Sequence, residues 1–300
     1  MRVAAIGALA AGATVPLLRR RLNVPAPLTI AAVTSAPVAL AVLCRRSKTR
    51  DAALFTLQMW AFVILHELPY DDPERLRRRL RVQYPISADR VIGAGELPTV
   101  RLQRGLASPG GPTGLDHVLT FVHWAWFFEP HLALAWILVR HNDSFPRAAR
   151  QMAAAYDLGC ALYALVPTAP PWWAAEQGVA GAPVRRVMVE VGEPLWGRAW
   201  PKMYDSLNGN PWAAFPSLHF ATSVLAAILL TETGALEGAA GWSYAATLGF
   251  ALVYLGEHYV ADLAAAVALV ALVRLAEPRL APVAELMSRG VQRLEQLAAP

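Results

Sequence analysis

Asn208-Gly-Asn-Pro-Trp-Ala-Ala-Phe-Pro-Ser-Leu-His219 runs straight into the apolar stretch Phe220 to Leu230, and further on Tyr254-Leu-Gly-Glu-His258-Tyr-Val-Ala-Asp262 runs into a second one. Proline fits the first turn of a helix, where its missing N–H has no partner to lose, so a helix is expected from Pro216 with His219 in its first turn. In the second stretch, positions four apart share a helix face and side chains lean towards the N-terminus, so Asp262 reaches back to His258. Two apolar helices that each open on an imidazole decide the fold class, an all-α bundle with its chemistry at one end.

The rest of the chain extends that pattern. Of its 300 residues 56% are hydrophobic and only 16% charged, with mean hydropathy +0.36, whereas a soluble domain carries about a quarter of its residues charged. A spanning helix needs about 20 mostly apolar residues. Segments 3–18, 26–43, 51–69, 117–139, 148–166, 214–231, 239–256 and 258–275 meet or approach this, so a polytopic transmembrane bundle of about eight spans is expected. The division is 1–70 for N-terminal transmembrane helices, 71–115 for a basic insertion, 116–275 for a second transmembrane block holding the loop 167–213, and 276–300 for a polar tail. The first apolar run reads as a retained helix, since no small-residue cleavage site follows it.

The formal charge of +5 fits the basic loops of a membrane protein and needs no nucleic acid. Cys44 and Cys160 lie in or beside apolar blocks and imply neither a disulfide framework nor a thiolate zinc site. In the first insertion Arg75, Arg77, Arg78, Arg79 and Arg81 alternate with Leu76, Leu80 and Val82, a pattern for a short amphipathic helix in the headgroup layer. The second insertion is rich in Pro and Trp, as interfacial structure is. With a cytoplasmic N-terminus, eight spans put 44–50, 140–147 and the tail inside. Both insertions and both imidazoles then fall on the outer face of the cell's inner (plasma) membrane. The arginines at 75–81 go against the positive-inside tendency, and anionic substrate headgroups account for them.

A helix N-terminus offers free N–H groups and a positive dipole to a phosphate oxygen, to which Ser217 would add a hydroxyl and Asn210 an amide. His219 is placed to protonate an oxygen leaving phosphorus. His258, its tautomer fixed by Asp262, is suited to attack phosphorus and carry it as a phospho-histidine. Phosphoryl transfer spreads negative charge over the equatorial oxygens, so fixed cations are expected nearby: Arg101, Arg185, Arg186, Arg198 and Lys202 are the candidates. Asp116 and His123, near the start of a spanning helix, are candidates for the same cavity or for a packing and hydrogen-bonding role, and His66, His117, His131 and His141 are given no chemistry. No cofactor and no metal is called for. A metal enzyme with His219, His258 and Asp262 as ligands, and a non-enzymatic anionic-lipid transporter or scaffold, are the competing classes.

Pro216-Ser-Leu-His219 and His258-Tyr-Val-Ala-Asp262 resemble the Pro-Ser-Gly-His and His-x-x-x-Asp motifs of the membrane-bound type 2 phosphatidic acid phosphatase superfamily. Leu218 in place of Gly, the preceding Asn210-Pro-Trp-Ala-Ala-Phe, and Pro167-Thr-Ala-Pro-Pro-Trp172 are similar to its inositolphosphotransferase branch, which includes inositol phosphorylceramide synthases. The resemblance covers roughly 115–275 and implies a six-helix-type phosphatase core with His258 as nucleophile, Asp262 as its partner and His219 as general acid. It implies transfer or hydrolysis of a phospho-headgroup, with a lipid phosphate or phosphoinositide as substrate, a lipid or glycan alcohol as a candidate acceptor, and phosphatidic acid or polyprenyl (pyro)phosphate as alternatives. Many members carry an arginine six residues before the nucleophilic histidine, where this chain has Leu252, and their Lys-to-Arg-Pro motif has no counterpart here.

Overall fold

A computed structural model describes residues 1–298, and all side chains among them except those of 205–208; Asn208 thus lies outside the described side chains. Among these residues all the regular structure is helical, apart from the single-residue bridges Arg81↔Thr168 and Thr168↔Ala213. α1 (Arg2–Leu22) and α2 (Ala26–Leu43) form a hairpin, and α3 (Lys48–Glu67), capped by Ser47, packs on α2. These are the helices long and apolar enough to cross a membrane by length and composition, the third counted through Asp71.

The first insertion folds into α4 (Pro73–Arg77), α5 (Gln83–Ile92) and α6 (Pro98–Leu106) rather than one amphipathic helix. The expected span 117–139 is broken: α7 (Gly114–Ala125) stops, Trp126, Phe127 and Phe128 bond back three residues, and α8 (Glu129–Arg140) starts afresh with Pro130 in its first turn. Pro130 has no N–H to give the carbonyl of Trp126, its helical partner four residues back, and an unbroken hydropathy profile hides that break. α9 (Phe145–Leu165) follows, and the second insertion holds α10 (Pro171–Glu176), α11 (Val187–Trp196) and α12 (Trp200–Asn208).

α13 (Leu218–Thr231) is apolar and buried on nearly all sides, as a helix hydrophobic all round must be, and packs against α8, α9, α14 (Ala235–Tyr254) and α15 (Val260–Ala298). It starts at Leu218 with Ser217 as cap, not at Pro216: the Ser217 oxygen accepts from the Phe220 N–H at 3.3 Å. The tail expected at 276–300 is helical to Ala298, as a continuation of α15 across Pro278 and Pro282. At 39 residues α15 is about 58 Å long, far more than a bilayer core of about 30 Å.

Ion pairs mark two polar ends. Arg19 binds Glu67 and Asp71 at one end, both at 2.8 Å. At the other, Arg50 binds Glu295, Arg274 binds Glu232 and Arg150 binds Glu277. Both insertions sit at the Arg19 end and are tied together there: Arg81 N–H donates to the Pro167 carbonyl at 2.7 Å, and Thr168 N–H to that of Trp212 at 2.9 Å.

Candidate active site

Gly256, at φ +81°, turns the chain out of α14. Its carbonyl accepts from the Trp172 N–H at 3.1 Å, and the N–H groups of Glu257 and His258 both return to the Leu252 carbonyl at 3.1 Å. His258 therefore lies in the connection before α15, not on the helix, and Asp262 lies in the first turn. Asp262 Oδ2 accepts from the Tyr259 N–H at 2.9 Å and lies 3.4 Å from His258 Nδ1. With Nδ1–H assigned towards the carboxylate, His258 Nε2 is left with a lone pair. It points at His219 Nδ1, 3.2 Å away. The two imidazoles thus meet at one end of the bundle, joined in a chain that ends on a fully buried carboxylate.

Aromatic rings hold His219 from the opposite side. Trp126, in the break between α7 and α8, lies 4.2 Å from it ring to ring and anchors its own Nε1–H on Thr222 Oγ1 at 2.8 Å. His123 lies 4.8 Å from it, centroid to centroid, with Nδ1 unpartnered among the described residues. Tyr163 OH donates to the Pro216 carbonyl at 3.0 Å and accepts from the Leu218 N–H at 3.3 Å, fixing the start of α13.

His123, His219 and His258 line a cavity of about 390 Å³, with Glu257, Asn210 and Tyr204 also on its wall. Asn210 Oδ1 accepts from the Trp212 N–H at 3.1 Å, while Nδ2 is buried and unpartnered among the described residues. Ser217 is not on the wall, and its oxygen serves as the α13 cap. The free N–H groups expected at that helix end are also mostly engaged, by Asp262 O, Tyr163 and Ser217. The α15 end is closed by Asp89 of α5, whose buried carboxylate accepts from the Val260 and Ala261 N–H groups, both at 2.9 Å.

None of the five expected cations lines the cavity. Arg101 is held by Glu96 and the Gly93 carbonyl, Arg185 pairs with Glu190, and Arg198 and Lys202 are exposed. Arg186 comes nearest in effect: its guanidinium lies 3.8 Å over the Trp172 ring beside Glu176, and its charge is felt at Glu257. Arg101, Arg185 and Arg186 each have a neighbouring acid or ring, which a count of charges cannot show. Leu252, at the position of the missing arginine, is fully buried in the apolar core. Asp116 is structural: it completes the Thr113 capping box and accepts from Tyr254 OH at 2.6 Å.

Glu257, Trp126 and Tyr163 on the cavity wall and Asp89 at the α15 end escaped the sequence reading, and His66, given no chemistry there, also lines the cavity. Glu257 alone carried a signal, being an acid beside the presumed nucleophile. Among the described residues, no group of three or more His, Cys, Asp or Glu side chains is placed to hold a metal ion.

A family model described as the PAP2 superfamily matches residues 112–276, more than half of the chain. The chain belongs to the PAP2 superfamily. No curated protein and no solved structure matches it. Membership makes it a phosphatase-type enzyme acting on phosphorylated substrates, and with its three apolar helices a membrane protein. The PAP2 segment begins just before α7 and ends within α15, so it contains every member of the His219–His258–Asp262 chain and both halves of the broken helix.

Proposed function

We propose that this PAP2 protein is an integral membrane lipid phosphatase or phosphotransferase of about eight spans, working through a phospho-histidine on His258 without a metal. The observation that carries this reading is the run Asp262–His258–His219 on the wall of one cavity, at 3.4 and 3.2 Å. A phosphoryl group entering between the rings takes the place of the His219 proton at His258 Nε2. The N–P bond forms as the P–O bond to the leaving group breaks, and His219 delivers its proton to the departing oxygen. Water or an alcohol then attacks phosphorus, gives its proton to His219, and frees His258. Asp262 holds Nδ1–H throughout and stabilises the imidazolium form.

The Asn210 Nδ2 and His123 donors face the phosphoryl oxygens, with the Arg186 charge behind Glu257. Among the described residues the cavity wall carries Glu67, Glu257 and Asn210 but no Lys or Arg, which suits a hydroxyl-rich headgroup, since carboxylate and amide accept hydroxyl hydrogen bonds. That favours transfer or hydrolysis of a polyol phosphate of the inositol-phosphate type, as in the inositolphosphotransferase branch, over phosphatidic acid or polyprenyl (pyro)phosphate.

The purified protein in detergent is assayed against phosphatidylinositol, phosphatidic acid and polyprenyl phosphate, each with and without alcohol acceptors. His258→Ala should abolish turnover at wild-type expression, and His219→Ala should lower kcat by about 10²–10⁴. Wild-type turnover by His258→Ala would overturn the phospho-histidine on His258, and no turnover of any of these lipids by the wild type would favour the transporter or scaffold class. Loss of activity in EDTA, restored by a divalent ion, would replace the metal-free mechanism.

A further inference from the structure

A second cavity, about 480 Å³, lies along α8, α13 and α14. Phe128 borders both this groove and the catalytic cavity, so the two adjoin at the break between α7 and α8. Most of the groove lining is apolar, with Leu132, Ala133, Trp136, Leu230, Ala240 and Gly241 among it. Phe128 and Leu132 are each 66% exposed and Trp136 41%, which places the opening on the flank of the bundle, where lipid would be.

Two carboxyl groups, Glu129 and Glu237, interrupt this apolar flank, and of the two only Glu129 has a buried oxygen without a hydrogen bond among the described residues. That oxygen is Oε2, and Glu129 stands at the start of α8. The Ser223 hydroxyl faces this carboxyl, but the geometry falls short of a hydrogen bond and leaves Ser223 Oγ unpartnered as well. An ionisable residue on a membrane-embedded surface is expensive and is retained where it binds something. Its depth is set by α13: Ser223 lies one turn below His219, about 6 Å at 1.5 Å per residue. In a phospholipid or a ceramide phosphate, the ester or amide that joins the chains to the headgroup lies at about that distance from phosphorus.

We infer that the groove is the chain subsite of the enzyme and that Glu129 is a specificity residue, hydrogen-bonded to the ester or amide linkage of the bound lipid. A neutral carboxyl O–H, like the NH₂ of an amide side chain, donates to the carbonyl of such a linkage, whereas a polyprenyl chain is hydrocarbon from its first carbon and leaves Glu129 unpaired. This inference rests on the lipid phosphotransferase reading and names the class of lipid.

Binding separates the two. In the His258→Ala background, where turnover is absent, affinity is measured by native mass spectrometry for diacylglycerol phosphate, ceramide phosphate and polyprenyl phosphate of equal chain carbon. Diacylglycerol phosphate, ceramide phosphate or both should bind at least tenfold more tightly than polyprenyl phosphate. Glu129→Leu should erase that preference while leaving polyprenyl binding unchanged, and Glu129→Gln should keep most of it. The ester-against-amide arm identifies the linkage. Equal binding of all three lipids, or a preference that survives Glu129→Leu, overturns the inference. Turnover of the otherwise wild-type protein tests the catalytic reading separately, so either can fall alone.

Discussion

Glu257 is 8% exposed, directly precedes His258, and accepts a hydrogen bond from Tyr204 OH at 3.2 Å. Burial pushes its carboxyl above the ordinary range, and the positive charge of Arg186 pulls against that. Because the folded-state pKa lies above the unfolded value of about 4.3, the native protein holds this proton more tightly than the unfolded chain does. The associated stability is fully present below about pH 4.3 and is lost as pH rises through the raised value. Thermal unfolding of the wild type across that window should show the loss, and Glu257→Gln should remove that part of the slope. If Glu257 accepts substrate hydroxyls in its ionised form, kcat/KM should climb over the same window in the wild type and be flat in the variant. Asp262→Asn probes the neighbouring link. An amide can present its NH₂ to His258 and favour the wrong tautomer, so kcat should fall by about 10²–10⁴ with little change in KM.

At the level of elements, the two motifs were legible because each is local: His258 and Asp262 are four apart, and His219 follows a helix signal. Their meeting was inferable from the parity of apolar segments, since α14 returns the chain to the end where α13 began. The supports were not legible. Asp89 reaches the α15 N-terminus from an insertion far away in sequence, and no spacing announces such a pair. Asp89→Ala should release the first N–H groups of α15 and destabilise the protein by about 1–2 kcal/mol. Because His258 and Asp262 ride on that end, kcat should fall more than KM rises; unchanged kinetics would make Asp89 a cap and nothing more. The turn before His258 makes a second demand. A Cβ on Gly256 would lie 2.7 Å from Val184 Cγ1, on a backbone already at φ +81°. Gly256→Ala should therefore cost about 1–3 kcal/mol, read by thermal unfolding in detergent. The broken α7–α8 segment was missed for the opposite reason: hydropathy sums side chains and does not see the backbone, so Trp126 to Phe128 read as mid-span.

For the whole molecule, the separation of polar ends yields a sidedness test. The end carrying both insertions holds the imidazoles, and the other holds Arg46, Arg50, Arg150, Arg274 and their acidic partners. Arginine at both ends blunts the usual charge rule, so orientation has to be measured. Cys44 is exposed beside Arg46, at the end away from the site, while Cys160 is buried. Ser108, between α6 and α7, is exposed on the insertion side. An impermeant maleimide applied to intact cells should label Ser108→Cys in a Cys44→Ser background, and should leave Cys44 of the wild type unlabelled until the membrane is opened. The reverse pattern would keep the fold and move the proposed site to the cytoplasmic face, where the anionic leaflet would meet the arginines at 75–81. Labelling of both positions from one side would contradict the two-ended bundle itself, because Cys44 closes α2 while Ser108 lies in the chain that follows α3, a helix that must cross to reach it.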